Sequence, residues 1–437
     1  MAAPADKQTI GFWMTWSLVV GTMIGAGIFM LPVSLAPYGA NAIVGWIVSA
    51  VGAVSLAYSF GRLARQGGQG IQAYIETAFG PFIAFLATFL FWVSTPTSIA
   101  AVAVAAAAAT ARMTPALDGT TSVALIAIAF VAFLTLTNAL GARSTGRLAV
   151  VTTFMKVLLL AAVIVVLFQV LGSGEPLAPL AALPVTVDNI AAASALTLYA
   201  LLGFETAVAP VDKVRDPERT IPRALVGGTG FVGILYLVTS TAILLLLTVD
   251  VAVISNSPFA DAIGRGWGEY GALVAALAIA ISGFGYINGS VLVAGELGYS
   301  MALRRELPVL FAKTRHGNTP VNAQLLGSAI AIGLIAANMS KGTGDLFTFM
   351  ALLTTSATLW LYLAAALAAL KQRPSGIALV AVLIGLGFVA FAFYGSGAEA
   401  NLWSLALLGT GAGLYFLMRS RGGSSRAAVP QPAGPRE

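Results

Sequence analysis

The chain has 437 residues, of which 58% are hydrophobic and 9% charged, and a formal net charge of +6. Soluble domains carry roughly 25% charged residues, so a soluble fold is excluded; with no cysteine, so are disulfides, thiol catalysis and cysteine-ligated metals. The basic residues are scattered over many short loops, which suits membrane topology and not a nucleic-acid partner.

Apolar runs of about 20 residues, enough to cross a hydrocarbon core of about 30 Å, recur along the chain. Residues 1–9 form a short polar start. The first run, residues 10–36, is too long for a signal-peptide core and has no small-residue cleavage site after a short core, so it is expected to remain as the first span. Its middle reads Gly21-Thr22-Met23-Ile24-Gly25-Ala26-Gly27-Ile28-Phe29. Clustered glycines weaken a helix, and lipid cannot satisfy the backbone groups that unwinding frees. The run is therefore either a close-packing face of small residues or a break facing protein, water or ligand. A half-helix starting after Gly25 offers unpaired N–H groups and a positive dipole end to a carboxylate.

Spans at residues 40–61, 80–109 and 120–139 follow. The third holds Thr95-Pro96-Thr97-Ser98, a polar proline kink that suits either a pocket wall or packing alone. The fifth span, 148–171, contains Lys156, nine residues past Arg147 and so roughly 13 Å into the membrane at 1.5 Å per residue. Intramembrane lysines are costly and functional by default. A site whose hydration alternates can load and release a proton there; the competing readings are a structural tether to carbonyls of neighbouring helices and snorkelling to the interface.

The sixth span, 189–210, is interrupted at Leu201-Leu202-Gly203-Phe204-Glu205-Thr206. Its glycine and acid stand in the place corresponding to the first break, and paired interruptions in two halves point to an inverted-repeat transporter. Carbonyls at the ends of the half-helices preceding both breaks suit an ammonium group. Glu205 either titrates or holds the broken helix open. In the seventh span, 224–247, Gly228-Thr229-Gly230-Phe231-Val232-Gly233 matches a dinucleotide-loop pattern but follows no strand, so it reads as helix packing.

The eighth span, 270–298, supplies Tyr286, Asn288 and Ser290, with Glu296 near its end as a structural or gating acid. The single histidine, His316, falls in the following loop. Spans at 321–338, 345–370, 376–394 and 400–418 complete twelve, with Thr354 and Thr355 at pocket depth in the tenth. Asn338-Met339-Ser340 fits a glycosylation sequon by chance. Residues 419–437, rich in Gly, Pro and Ser, read as a disordered cytoplasmic tail.

With twelve crossings both termini share one side, and 19 of the 23 basic residues fall on that side. The positive-inside rule makes it cytoplasmic. The expectation is an all-α, multi-pass protein of the cytoplasmic membrane with one transmembrane domain over residues 10–418.

Several of these segments together resemble the amino acid–polyamine–organocation (APC) superfamily. The first-span glycine motif is similar to that family's first-helix signature. Gly68-Gln69-Gly70-Ile71-Gln72-Ala73-Tyr74 through Phe79-Gly80-Pro81-Phe82 resembles its loop before helix 3. Gly203-Phe204-Glu205 with Val214-Arg215-Asp216-Pro217-Glu218-Arg219-Thr220-Ile221-Pro222-Arg223-Ala224 looks like its sixth helix and following loop. Gly298-Tyr299-Ser300-Met301-Ala302 to Leu307-Pro308, then Thr319-Pro320-Val321-Asn322-Ala323, resembles its helix 8–9 connection.

The nearest subgroup is the basic amino acid/polyamine antiporters, including the arginine/agmatine antiporter. The resemblance implies the leucine-transporter fold: discontinuous helices 1 and 6, a 5+5 inverted repeat over about 10–171 and 189–370, helices 11–12 at about 376–418, and alternating access around a midplane site. It implies that Ala26 and Gly27 hold a carboxylate and that carbonyls of Met23, Tyr199 and Leu202 receive an amino group. Tyr199 stands where the arginine antiporter has a gating tryptophan, Glu205 matches its helix-6 glutamate, and proton-coupled members carry a lysine where Lys156 stands. The substrate-contacting set expected is Thr22, Met23, Gly25, Ala26, Gly27, Pro96, Ser98, Tyr199, Leu202, Phe204, Ser290 and Thr354, with Lys156 and Glu205 for proton coupling. Three departures bear on substrate. Ala26 replaces a hydroxyl residue, Ser290 the tryptophan that covers the guanidinium, and Ile99 a pocket asparagine. They count against arginine and agmatine selectivity and leave the general amino-acid site.

The function expected is therefore amino-acid transport by exchange or proton symport. An arginine/agmatine-type amine antiporter is the alternative, and a non-transporting sensor on the same fold the second. No enzyme constellation, cofactor or metal site is expected; the partners are a small amino acid or amine, protons and membrane lipid, with a homodimer compatible.

Overall fold

The computed structural model describes residues 10–65, 70–117, 119–140, 145–205, 214–315 and 319–422, with the side chains of Pro115, of residues 145–150 and of 421–422 left aside. Gly68, Gln69, Thr206, His316, the residues before Ile10 and those after Gly422 lie outside this set. Within it the chain is helical: α1 (Phe12–Met23), α2 (Leu31–Leu35), α3 (Ala40–Ala64), α4 (Ile71–Phe79), α5 (Pro81–Met113), α6 (Thr120–Ala139), α7 (Thr145–Ser173), α8 (Val187–Leu201), α9 (Pro217–Leu246), α10 (Val249–Ile254), α11 (Pro258–Leu303), α12 (Val321–Ala337), α13 (Thr343–Lys371), α14 (Ile377–Gly395) and α15 (Gly397–Gly422).

Among the described residues, nine helices are long and apolar enough to cross a membrane, and α1, α8 and α12 are shorter apolar helices. Large apolar side chains such as Phe133, Phe168 and Phe416 are more than half exposed, as a lipid-facing surface requires. The apolar windows of α5 and α13 are 83% and 78% buried against 11% for α15. So α5 and α13 run through the middle of the bundle and α15 along its edge.

Helix ends differ from the apolar runs because hydropathy marks the membrane and not the hydrogen-bond ladder. α9 starts at Pro217, seven residues before the expected span, because a proline at the first helical position leaves no orphan N–H and a polar first turn is still helical. α11 extends back to Pro258 across Gly268, whose φ of 72° marks a kink between two helical pieces. α4 and α10 are additional short helices between spans. α15 runs to Gly422, so the first residues of the expected disordered tail are helical. α5 carries Pro96 inside without a break.

Two faces of the bundle can be told apart by contacts between loops. On the first, the Arg215 N–H donates to the Ile10 carbonyl at 2.9 Å, the Gln72 amide to Glu306 at 2.7 Å, and Lys371 to the Ala78 carbonyl. On the second, Arg112 bridges Asp261 at 2.9 Å and Glu269 at 2.8 Å. Arg265 there caps the Leu246 and Pro176 carbonyls at 2.7 and 2.6 Å. The glycine motif of α9 packs against helices as its sequence suggested: a Cβ at Gly228 would sit 2.8 Å from Val19 of α1, and one at Gly233 3.0 Å from Ala50 of α3.

Candidate substrate site

Both sequence interruptions are breaks in helix. α1 stops at Met23, Ile24 turns to ψ 77° and Gly25 to ψ 163°, and a single 3-10 turn follows at Ala26–Phe29. α8 stops at Leu201, with Leu202 extended at ψ 153° and Gly203 at φ 119°. The two breaks touch. A Cβ on Gly203 would lie 2.8 Å from the Thr22 carbonyl oxygen and 3.1 Å from its carbon, so only glycine lets the second break lie on the first. Its positive φ makes the same demand independently.

Around this junction lies a cavity of about 420 Å³. The first break contributes Thr22, Met23, Gly25 and Gly27 to its lining, the second Tyr199, Leu202 and Glu205, α5 Ser98, α7 Lys156, α11 Ser290 and α13 Thr354. Of the expected substrate-contacting set, Ala26, Pro96 and Phe204 are not in this lining. Ala26 is buried in the break itself, and Pro96 lies on the side of α5 toward Gly327 of α12. Phe204 is enclosed between Phe60 and Tyr362, at ring-centroid distances of 5.5 and 5.1 Å. The site also uses residues outside that set, Tyr286 above all.

The groups freed by the breaks are partly engaged. Lys156 is 5% exposed; its Nζ donates to the Ile24 carbonyl at 3.0 Å and lies 5.9 Å from the centre of the Tyr286 ring. Tyr236 donates its hydroxyl to the Met23 carbonyl at 3.2 Å. Glu205 Oε2 accepts from the Gly203 N–H at 3.0 Å and from the Tyr362 hydroxyl at 2.6 Å, so this carboxyl ties the second break to α13. Tyr286 and Ser98 share a hydrogen bond at 2.7 Å across the cavity, and Thr354 donates to Thr97 at 2.9 Å. Tyr199 covers Gly27, where a Cβ would lie 2.6 Å from its ring; its buried hydroxyl has no hydrogen-bond partner among the described groups. Asn288 points elsewhere, accepting from Asn138 of α6 at 2.9 Å.

Exposure differs between the two ends of the cavity. Leu18 and Thr22, and Val293 at 44%, are exposed toward the first face, whereas Gly27, Ile28 and Tyr199 are buried. Tyr199 meets Phe347 edge-on at 5.9 Å, and Phe29 meets Phe259 at 5.0 Å. The cavity opens to the first face and is sealed from the second. Among the described residues, Lys156 and Glu205 are its only charged lining residues.

Tyr286 could be singled out from the sequence, as a polar residue at pocket depth in the eighth span. The roles of Tyr236 and Tyr362 could not, because nothing local to either residue signals a partner more than 150 positions away in the chain.

Residues 10–406 match the model of a family described as amino acid permease. The chain is 27% identical to the putrescine transporter PotE of Escherichia coli (strain K12) over 441 residues, covering 95% of this chain and 98% of that one. It is 28% identical to the putrescine transporter PotE of Haemophilus influenzae with the same coverage, and 29% identical to the cadaverine/lysine antiporter of Escherichia coli (strain K12) over 78% of this chain and 79% of that one.

Proposed function

The chain belongs to the amino acid permease family of the APC superfamily, and from that premise we propose that it moves an α-amino acid or a related amine across the cytoplasmic membrane by alternating access, holding the substrate's polar ends with main-chain groups at its two helix breaks. The observation that carries this reading is the contact of Gly203 with the Thr22 carbonyl beside the central cavity. Carbonyls ending α1 and α8 suit an ammonium group. The first N–H groups of the turn at Ala26–Phe29 have no partner within it and suit a carboxylate. By the positive-inside rule the first face is cytoplasmic, so that the molecule stands open to the cytoplasm. The twelve-span topology and the inverted repeat belong to the same proposal.

A zwitterion without a second ammonium fits the lining best. Of the two charged residues in its described lining, one is a lysine, and the carboxyl of the other already accepts two hydrogen bonds. A diamine or cationic amino acid is the second reading, favoured by the substrates that the relatives' names carry, putrescine, cadaverine and lysine.

Counterflow in proteoliposomes tests both. Vesicles loaded with single amino acids or with putrescine, cadaverine or agmatine are assayed for labelled uptake, with and without an imposed pH gradient. Acceleration by neutral amino acids supports the first reading and acceleration by diamines the second. Binding without movement in any condition points to a sensor and overturns transport.

A further inference from the structure

A second cavity of about 580 Å³ lies toward the second face, lined by α2, α8, α13 and the segment after α10. It stands in series with the central one. On α8, Ala192 and Leu196 line the second cavity and Tyr199 and Ala200 the first; on α13, Thr348 and Leu352 line the second and Thr354 and Thr358 the first. The nearest of these, Leu196 to Tyr199 and Leu352 to Thr354, are three and two residues apart, roughly 3–5 Å along a helix. What separates the two is thin: the Tyr199–Phe347 ring contact and a hydroxyl pair, Ser34 with Thr348 at 2.5 Å. That pair joins the half-helix beyond the first break to α13.

Among the described residues, Asp345 is the only charged one lining this second cavity. It is exposed, and among the described residues it forms no ion pair. The neighbouring charges, Lys341 and Glu399, neutralise each other at 2.9 Å. The remaining polar side chains of its described lining are hydroxyls and one amide, Asn256, with Ser34, Tyr38, Thr120, Ser255, Thr343 and Thr348 supplying the hydroxyls. An uncompensated carboxylate among hydroxyls, in a chamber one thin layer from the transport site, is suited to a primary ammonium group.

We propose that this second cavity is a distinct waiting site for the substrate's ammonium group, with Asp345 as its counter-charge and Ser34–Thr348 as the clasp that parts on the way to the central cavity. The proposal rests on the transport reading, with the second face outward. Asp345 also sits in the first turn of α13, where an acid complements the helix dipole. A purely structural role would lower stability and affect both faces alike.

The test is counterflow of labelled alanine and labelled putrescine, in right-side-out and inside-out vesicles, at ordinary salt and at roughly 0.5 M, where screening has shortened the reach of diffuse attraction to a few ångströms. For whichever probe the wild type exchanges, Asp345→Asn should raise the half-saturation concentration about fivefold from the second face, the upper range for an exposed ion pair. It should leave the value from the first face and the maximal rate unchanged. The effect should persist at high salt, and Asp345→Glu should largely restore affinity. Should Asp345→Asn fail to fold, Thr343→Lys, which puts a cation into the cavity, should give the same one-sided loss. Unchanged affinity, equal loss from both faces, or an effect that salt abolishes overturns the site. A wild type that moves neither probe overturns the transport reading, and this site with it.

Discussion

Gly203 and Gly27 both forbid a side chain, but for reasons that separate their mutants. A methyl on Gly203 meets backbone, 2.8 Å from the Thr22 oxygen, at a φ of 119°, so neither side can yield. Gly203→Ala should cost about 1–3 kcal/mol in backbone strain alone and drive the breaks apart, abolishing transport and lowering the thermal midpoint of purified protein. A methyl on Gly27 meets only the Tyr199 ring, at 2.6 Å, and a ring can swing away. Gly27→Ala should fold normally and lose substrate affinity, read as a raised half-saturation concentration; a fold defect equal to that of Gly203→Ala would contradict the distinction. Lys156 joins α7 to the first break through the Ile24 carbonyl. Lys156→Ala should abolish uptake driven by a pH gradient while sparing exchange, and uptake indifferent to both the mutation and the gradient would remove Lys156 from coupling.

Helix α1 is tied to α9 by packing. Its start is pinned by the Arg215–Ile10 backbone bond, Trp16 lies on Phe231 at 5.2 Å, and Gly228 admits Val19 at van der Waals contact. Gly228→Leu should overpack this seam and cost about 1–3 kcal/mol. Gly230→Leu, where the nearest atom to a new Cβ is 3.8 Å away on Val54, should cost less; thermal unfolding of the two variants compares them. This seam was half legible in the sequence, since clustered glycines in an apolar run announce close packing but not the partner. Helices α3, α5, α6 and α13 lie within a few residues of the apolar runs because membrane thickness sets both. α4, α10 and the first piece of α11 were not legible, being short or polar helices outside any apolar run. At the site, glycines and an intramembrane charge flagged Gly25, Gly203, Lys156 and Glu205 directly. The orientation of Phe204 was hidden because its aromatic neighbours Phe60 and Tyr362 come from distant helices.

Across the molecule, the proposed alternating access requires a counterpart state in which the Tyr199–Phe347 and Ser34–Thr348 layer parts and the first-face opening closes. The Ile24–Lys156 bond lies across that rearrangement, since it joins the first break to α7. The Arg112 cluster does not, because it ties α5 to α11 on the sealed face through Asp261 and Glu269. Its pH behaviour follows from its charges. The Arg112 guanidinium, hydrogen-bonded to the Glu269 carboxylate, holds that carboxyl below its usual range. Depression of this kind stabilises the fold above the unfolded-state value of about 4.3 and is lost as pH falls through the lower folded value. With 64% of its side chain exposed, Glu269 contributes weakly. Glu269→Gln should therefore be slightly less stable than wild type at neutral pH, and the two melting curves should converge in acid. Between about pH 5.5 and 8, above the carboxylate range, Glu269 stays charged, so Glu269→Gln should leave the pH profile of transport unchanged. A flattened profile in Glu269→Gln would move proton sensing from the central cavity to the sealed face.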